Sequence, residues 1–197
     1  MRGMDPRVGE PIDPTPASEQ EQHWLAAFRS GDTHAFQPLV RPHLPALVAL
    51  ARRHCHDQHW ADDLVQETLV RAYRGMAAFR GDAALRTWLF RILVRLASEP
   101  GRWQRGERAA PLEFDVPDHL DEPALAGAIE RELGQQLEAA MERLPARQRA
   151  ALHLRAVEGM DYAAIAAVLE CSGAAARMLV LEARRKVLAR IGGLLEP

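Results

Sequence analysis

Along two stretches of the chain, Trp24 to Ala97 and Ile129 to Leu195, Leu, Val, Ala, Ile and Phe recur at three- and four-residue spacing. That spacing returns to one helix face every turn and predicts amphipathic helices packed around a core. Pro100 and Gly101 break the pattern, and a linker follows to about Ala128. No segment alternates apolar and polar residues with β-branched side chains, so no strand is expected. Ala, Leu, Arg and Glu, all good helix formers, dominate instead. The pattern predicts an all-α chain of two small helical domains joined by an acidic linker. The expected bounds are a disordered leader over 1–22, a first domain over 23–100, the linker over 101–128 and a second domain over 129–197.

The clearest local signal runs from Leu144 to Ile191. Leu144-Pro145-Ala146-Arg147-Gln148-Arg149 opens a helix, with Pro145 near the first turn, where a missing N–H costs little. Leu152, Leu154 and Val157 supply its apolar side, and Gly159 ends it. Asp161 is placed to cap a second helix, Tyr162 to Leu169. After the turn Glu170-Cys171-Ser172, Ser172 can cap a third helix from Gly173 to about Arg190. This is the plan of a helix-turn-helix, in which one helix braces the next so that its N-terminal side chains reach base edges. An ordinary three-helix bundle fits the same segment.

Composition narrows the function classes. With 25 basic and 27 acidic residues the chain has a net charge of −2, which argues against wholesale coating of nucleic acid. Any such contact must come from local basic clusters. The stretch Glu113 to Glu132 holds seven acids against the single base Arg131, and so concentrates negative charge in the linker. No run of about 18 uncharged apolar residues exists, so no membrane insertion is expected. Cys55 and Cys171 cannot form a disulfide framework, which fits a reducing, cytoplasmic location. No paired carboxylates, nucleophile elbow or phosphate-cradling glycine loop suggests an enzyme, and no cofactor is expected. His54, Cys55, His56 and His59 cluster at a helix end, but a structural zinc wants four convergent ligands and no second cluster is evident, so no metal is expected.

The run Asp62-Asp63-Leu64-Val65-Gln66-Glu67-Thr68-Leu69-Val70-Arg71-Ala72-Tyr73-Arg74 closely resembles the second-region signature of extracytoplasmic-function RNA polymerase sigma factors. Phe79-Arg80-Gly81-Asp82 and Leu85-Arg86-Thr87-Trp88-Leu89-Phe90-Arg91-Ile92 resemble that family's promoter-melting region. The Leu144-to-Arg149 opening and the helix-turn-helix resemble its C-terminal domain, in the expected order. The resemblance covers Trp24 to Ile191 without the linker.

It implies a first domain that binds core polymerase and the −10 element, and a second that binds the −35 element. Asp62, Asp63, Gln66 and Glu67 share one helical face; on spacing alone it could be a solvated acidic face, while the resemblance implies docking on core RNA polymerase. Tyr73, Arg74, Phe79, Arg80, Arg86, Trp88 and Arg91 would lie by the −10 strand, aromatics stacking on unpaired bases and arginines neutralising phosphate. Among these, Arg80 and Arg86 are favoured, and Trp88 suits core packing better. Ser172, Ala175, Arg177, Met178, Arg184 and Arg185 would meet the −35 duplex. The linker would thread into polymerase channels, and an anti-sigma partner is expected.

Two departures stand out. Where the family continues an Asn-x-Ala-x-Asp helix into a basic run, this chain has Arg95-Leu96-Ala97-Ser98-Glu99-Pro100, and the proline should break or kink the helix. In the third helix of the C-terminal domain, Arg177 is followed by Met178-Leu179-Val180-Leu181-Glu182, which should weaken −35 binding. Four consecutive apolar positions cover every direction of a turn, so part of the patch must be exposed or meet a partner. The alternative function is therefore a sigma-like regulator acting through protein contacts.

Overall fold

The computed structural model describes residues 18–55, 57–99 and 134–191. The leader up to Ala17, His56, the stretch 100–133 with the linker, and 192–197 lie outside the described residues. So do Pro100 and the expected break there.

The first half holds α1 (Glu19–Arg29), α2 (Phe36–Val40), α3 (Leu44–His54), α4 (Gln58–Gly75) and α5 (Leu85–Ala97). Ser18 Oγ accepts from the Glu21 N–H at 3.1 Å to start α1, and Asp57 Oδ1 accepts from the His59 N–H at 2.6 Å to start α4. Each satisfies a helix N–H that has no partner within the helix. The second half holds α6 over 134–142, then α7 (Ala146–Ala156), α8 (Tyr162–Leu169) and α9 (Gly173–Ile191).

In α5 the apolar residues are not confined to one stripe. Leu85, Leu89, Phe90, Leu93, Val94, Leu96 and Ala97 are all buried. A helix of this kind must be covered on more than one side. α3 and α4 cover one side, and α8 from the second half packs on the other. A single hydrophobic core accordingly runs from Leu39 and Leu64 through Phe90 to Leu154, Ile165 and Val180. The two helical halves expected on either side of the linker also pack directly against one another. A smaller cluster of Ala140, Met141, Leu144, Leu152, Ala183 and Val187 ties α6 and α7 to α9.

The helix-turn-helix forms as its capping residues dictate. Asp161 Oδ1 accepts from the Ala164 N–H at 2.6 Å, and Ser172 Oγ from the Ala175 N–H at 3.1 Å. The chain bends by 97° between α8 and α9. Pro145, expected near the first turn of α7, is its N-cap. One detail differs from expectation. Val157 is 63% exposed, because α7 ends at Ala156 and its last apolar residue falls past the packed face. No single helix among the described residues is long and apolar enough to cross a membrane.

Glu170 closes α8 in the left-handed conformation, with φ 50°. There a Cβ crowds the following carbonyl oxygen, and only glycine escapes that cost. Glu170→Gly should therefore stabilise the fold by about 0.5–1 kcal/mol, even after glycine's greater freedom in the unfolded chain. The denaturant midpoint in a chemical unfolding titration measures this.

Candidate nucleic-acid interface

On α4, Leu64, Val65, Thr68 and Ala72 point into the core. That inward set turns Asp63, Gln66 and Val70 outward to solvent, with Asp62 half-buried at the edge. Glu67 is also half-buried, and Arg71 Nε donates to it at 3.0 Å while Arg71 Nη1 reaches Glu99 at 3.0 Å. The four acidic-face residues thus separate into an open pair, Asp63 and Gln66, and a pair nearer the helix flank. Val70, one turn beyond Gln66, is a 42% exposed apolar member of this face that charge pattern alone did not single out.

At the end of α4, the Tyr73 ring meets Phe28 at 5.4 Å and Phe36 at 5.2 Å, both edge-on. Tyr73 and Arg74 are otherwise exposed. Phe79 is buried; its ring lies 5.0 Å from Trp88, and its carbonyl accepts from the Arg29 guanidinium. Trp88 packs half-buried against the core, as its apolar neighbours suggest, and Gly75 leaves room for it: a Cβ there would stand 3.2 Å from the indole. Arg80 is exposed on the loop before α5.

Arg86 and Arg91 do not face solvent freely; they bind the second half. Arg86 forms an ion pair with the Glu158 carboxylate, donates to the Glu158 carbonyl at 3.1 Å, and lies 5.3 Å over the Phe90 ring. Arg91 Nε donates to the Ala167 carbonyl at 2.8 Å. On the far side of the same interface, Arg149 Nη1 donates to the Arg53 carbonyl at 2.7 Å, and Arg53 pairs with Glu138 at 3.0 Å.

Histidines lie beneath these arginines. His153, 2% exposed, has Nε2 at 3.2 Å from Glu158 Oε1. Its Nδ1, His54 Nε2 and Arg149 Nε are buried atoms with no hydrogen-bond partner. Burial, with Arg149 and His153 adding to it, pushes His54 down to about 4. Burial also lowers His153, against the pull of Glu158. Around His43 the same holds, with Arg86 contributing. Cys55, buried nearby, is pushed up to about 11 by burial and Asp57, so its thiol stays protonated. No three His, Cys, Asp or Glu side chains among the described residues are grouped to hold a metal.

The −35 candidates sit on or just before α9. Ser172 caps it, and Ala175 is half-buried; Arg177, Met178, Arg184 and Arg185 point outward. The Arg177 guanidinium lies 5.5 Å over the Tyr162 ring, which Arg155 also faces at 5.0 Å. Glu182 is turned to α7, where Gln148 Nε2 donates to it at 2.6 Å. Sequence reasoning missed Glu158, His153 and Arg149, since nothing in a lone Glu before a glycine signals a cross-domain partner.

Two family models match the two halves: Sigma-70 region 2 over residues 39–105 and Sigma-70 region 4 over residues 134–187. The fold and these matches define a sigma factor of the sigma-70 class. The chain belongs, more narrowly, to the extracytoplasmic-function sigma factors. It is 33% identical over 180 residues to the RNA polymerase sigma-H factor of Pseudomonas aeruginosa, a match covering 86% of this chain and 92% of that one. With the ECF RNA polymerase sigma factor SigM of Mycobacterium tuberculosis it shares 35% identity over 173 residues, 87% of this chain and 84% of the relative. Among solved structures, CnrH in complex with the cytosolic domain of CnrY is similar with a TM-score of 0.67 and 26% identity, covering 89% of this chain and 99% of CnrH. The protein is a sigma factor that directs RNA polymerase to promoters.

The His54 environment gives a pH dependence of known sign. The folded protein holds this imidazole neutral down to about pH 4, while the unfolded chain takes a proton from about pH 6.5 downward. The unfolded state therefore binds more protons in that window, and stability falls as pH falls. Between pH 7 and pH 5 this one group should remove about 2 kcal/mol. Unfolding free energies of the wild type and of His54→Gln at both pH values check it: the variant should lose that much less.

Proposed function

We propose that the protein engages polymerase through the outward face of α4 and reads promoter DNA with two surfaces of unequal availability. Asp63 and Gln66, with Asp62 and Glu67 beside them, form the polymerase-docking face. They stand clear of the second half, and the acids suit a basic partner surface. The −10 surface is the loop before α5 together with one side of that helix: Tyr73, Arg74 and Arg80 are exposed there, with Phe79 and Trp88 packed beneath as support. Arg86 and Arg91 belong to the same surface but are held by Glu158 and Ala167 in the closed packing. Promoter melting then requires the halves to separate, releasing both guanidinium groups for phosphate. α9 is the −35 surface, open in the closed form.

The observation that carries this reading is the engagement of Arg86 and Arg91 across the domain interface, while Asp63 and Gln66 on α4 stay exposed. Polymerase can be met first, and the −10 surface is uncovered as the halves part. CnrH is seen bound to CnrY, and a sigma factor of Bartonella quintana to the anti-sigma factor NepR; an anti-sigma partner of this chain would act by holding the halves closed. The linker's acidity suits a path through polymerase channels that otherwise take nucleic acid. We infer a cytoplasmic location, beside polymerase, for a chain that acts by binding rather than by catalysis.

Asp63→Lys combined with Gln66→Lys changes exposed positions and should leave the fold intact. Placing like charges against a basic partner costs several kcal/mol, so affinity for core polymerase should drop at least a hundredfold in a pull-down titration or by fluorescence anisotropy. Unchanged affinity would remove α4 as the docking face.

A further inference from the structure

We propose that α9 selects its −35 duplex mainly through thymine 5-methyl groups, with Met178 and Leu181 as the reading side chains. This rests on the reading above that α9 enters the major groove, and it names the base chemistry that the helix takes there.

The buried positions of α9 are Ala176, Val180, Ala183 and Val187. They fix the opposite side of the helix as the outward one. Along it, Ala174, Met178, Leu181, Arg185 and Leu188 follow at four- and three-residue steps and make one stripe. Met178 is 51% exposed and Leu181 60%, with none of the described residues covering them. The N-terminal part of such a helix reaches base edges, and here that part offers methyl, thioether and isobutyl groups.

The polar groups nearby are occupied. Ser172 Oγ holds the Ala175 N–H, and Glu182 is bound by Gln148. The Arg177 guanidinium is drawn to the Tyr162 ring at the flank. The acid that weighed against DNA in the sequence therefore does not face the groove. Arg177 and Arg184 flank the stripe and Arg185 stands within it past Leu181, and together they supply the positive charge that a phosphate backbone requires. A protein partner would be served equally by the apolar groups, but three arginines beside them match a polyanion.

In the major groove the feature that an apolar side chain can distinguish is the thymine methyl; guanine, cytosine and adenine present hydrogen-bonding edges there. An exposed Met178 or Leu181 set against a guanine O6 or a cytosine amino group would strip water without replacing its hydrogen bonds. Set against a thymine methyl it buries apolar surface on both partners. The helix so built prefers A·T steps with the thymines on the strand beneath Met178 and Leu181.

The test uses the full chain assembled with core RNA polymerase. The holoenzyme selects from duplexes randomised upstream of a fixed −10 stretch, and the enriched duplexes are remade with deoxyuridine for thymidine, one position at a time. That exchange deletes the 5-methyl and leaves every hydrogen-bonding group in place. Binding should weaken about fourfold per contacted methyl, from the burial of one methyl-sized group. Met178→Ala with Leu181→Ala, at exposed positions, should bind the selected duplex more weakly and no longer distinguish uracil from thymine.

Selected duplexes that bind equally with uracil overturn the methyl-reading proposal and leave the −35 assignment of α9 standing. Uracil sensitivity that persists in the double variant overturns the assignment to these side chains. If a holoenzyme that does assemble enriches no sequence upstream of the −10 stretch, α9 does not read DNA, and both the proposal and the reading beneath it fail.

Discussion

The apolar character of α5 on more than one side constrains everything else in the molecule. Seven of its apolar residues, Leu85 to Ala97, are buried, and the helices of the first half can cover only the side they face. Left open, the remainder would expose an apolar surface costing about 25 cal/mol for each Å² returned to water. α8, built almost wholly of Ala, Ile, Val and Leu, is the short helix that covers it. The cross-domain hydrogen bonds are then made where polar groups at the rim of this contact would otherwise lose water.

The Arg86–Glu158–His153 group sits at that rim. Glu158, its side chain 7% exposed, is a carboxylate whose burial is tolerable only because a guanidinium and an imidazole share it. Removing any one member leaves a buried group short of its partner, so the closed arrangement holds as a unit. The depressed histidines are the cost of enclosing so many donors together, and they couple domain packing to protonation. On the reading proposed above, Arg86 and Arg91 tied up in the second half would make affinity for the −10 strand depend on what separates the halves.

Much of this was legible in the sequence, for reasons that can be assigned. The helix-turn-helix was readable to within a residue because its ends are written in local chemistry: Asp161 and Ser172 at the N-caps and a short turn between. The acidic face of α4 followed from helical spacing, since Leu64, Val65 and Ala72 had to turn inward. What spacing could not supply was partnership across long sequence separations. Arg86 and Arg91 look like free cations in any window of twenty residues; their acceptors lie about seventy residues away. Glu182 looked like an obstacle to DNA until Gln148, on a different helix, was found to hold it. Val157 followed the apolar period but fell one residue beyond the helix that would have buried it.

Among the described residues, three of the arginines that reach across the halves share one feature: Arg86, Arg91 and Arg149 each donate to a backbone carbonyl, of Glu158, Ala167 and Arg53. A carbonyl is present whatever side chain a position carries. Apart from Glu158, whose carboxylate also pairs with Arg86, the acceptor positions can therefore change side chain and keep their half of the contact, and the donors cannot. Inheritance of the closed state is lopsided: it leans on these arginine codons, and related chains that part company at any of them would be expected to differ in how readily their halves open, even where most of the residues they touch have changed.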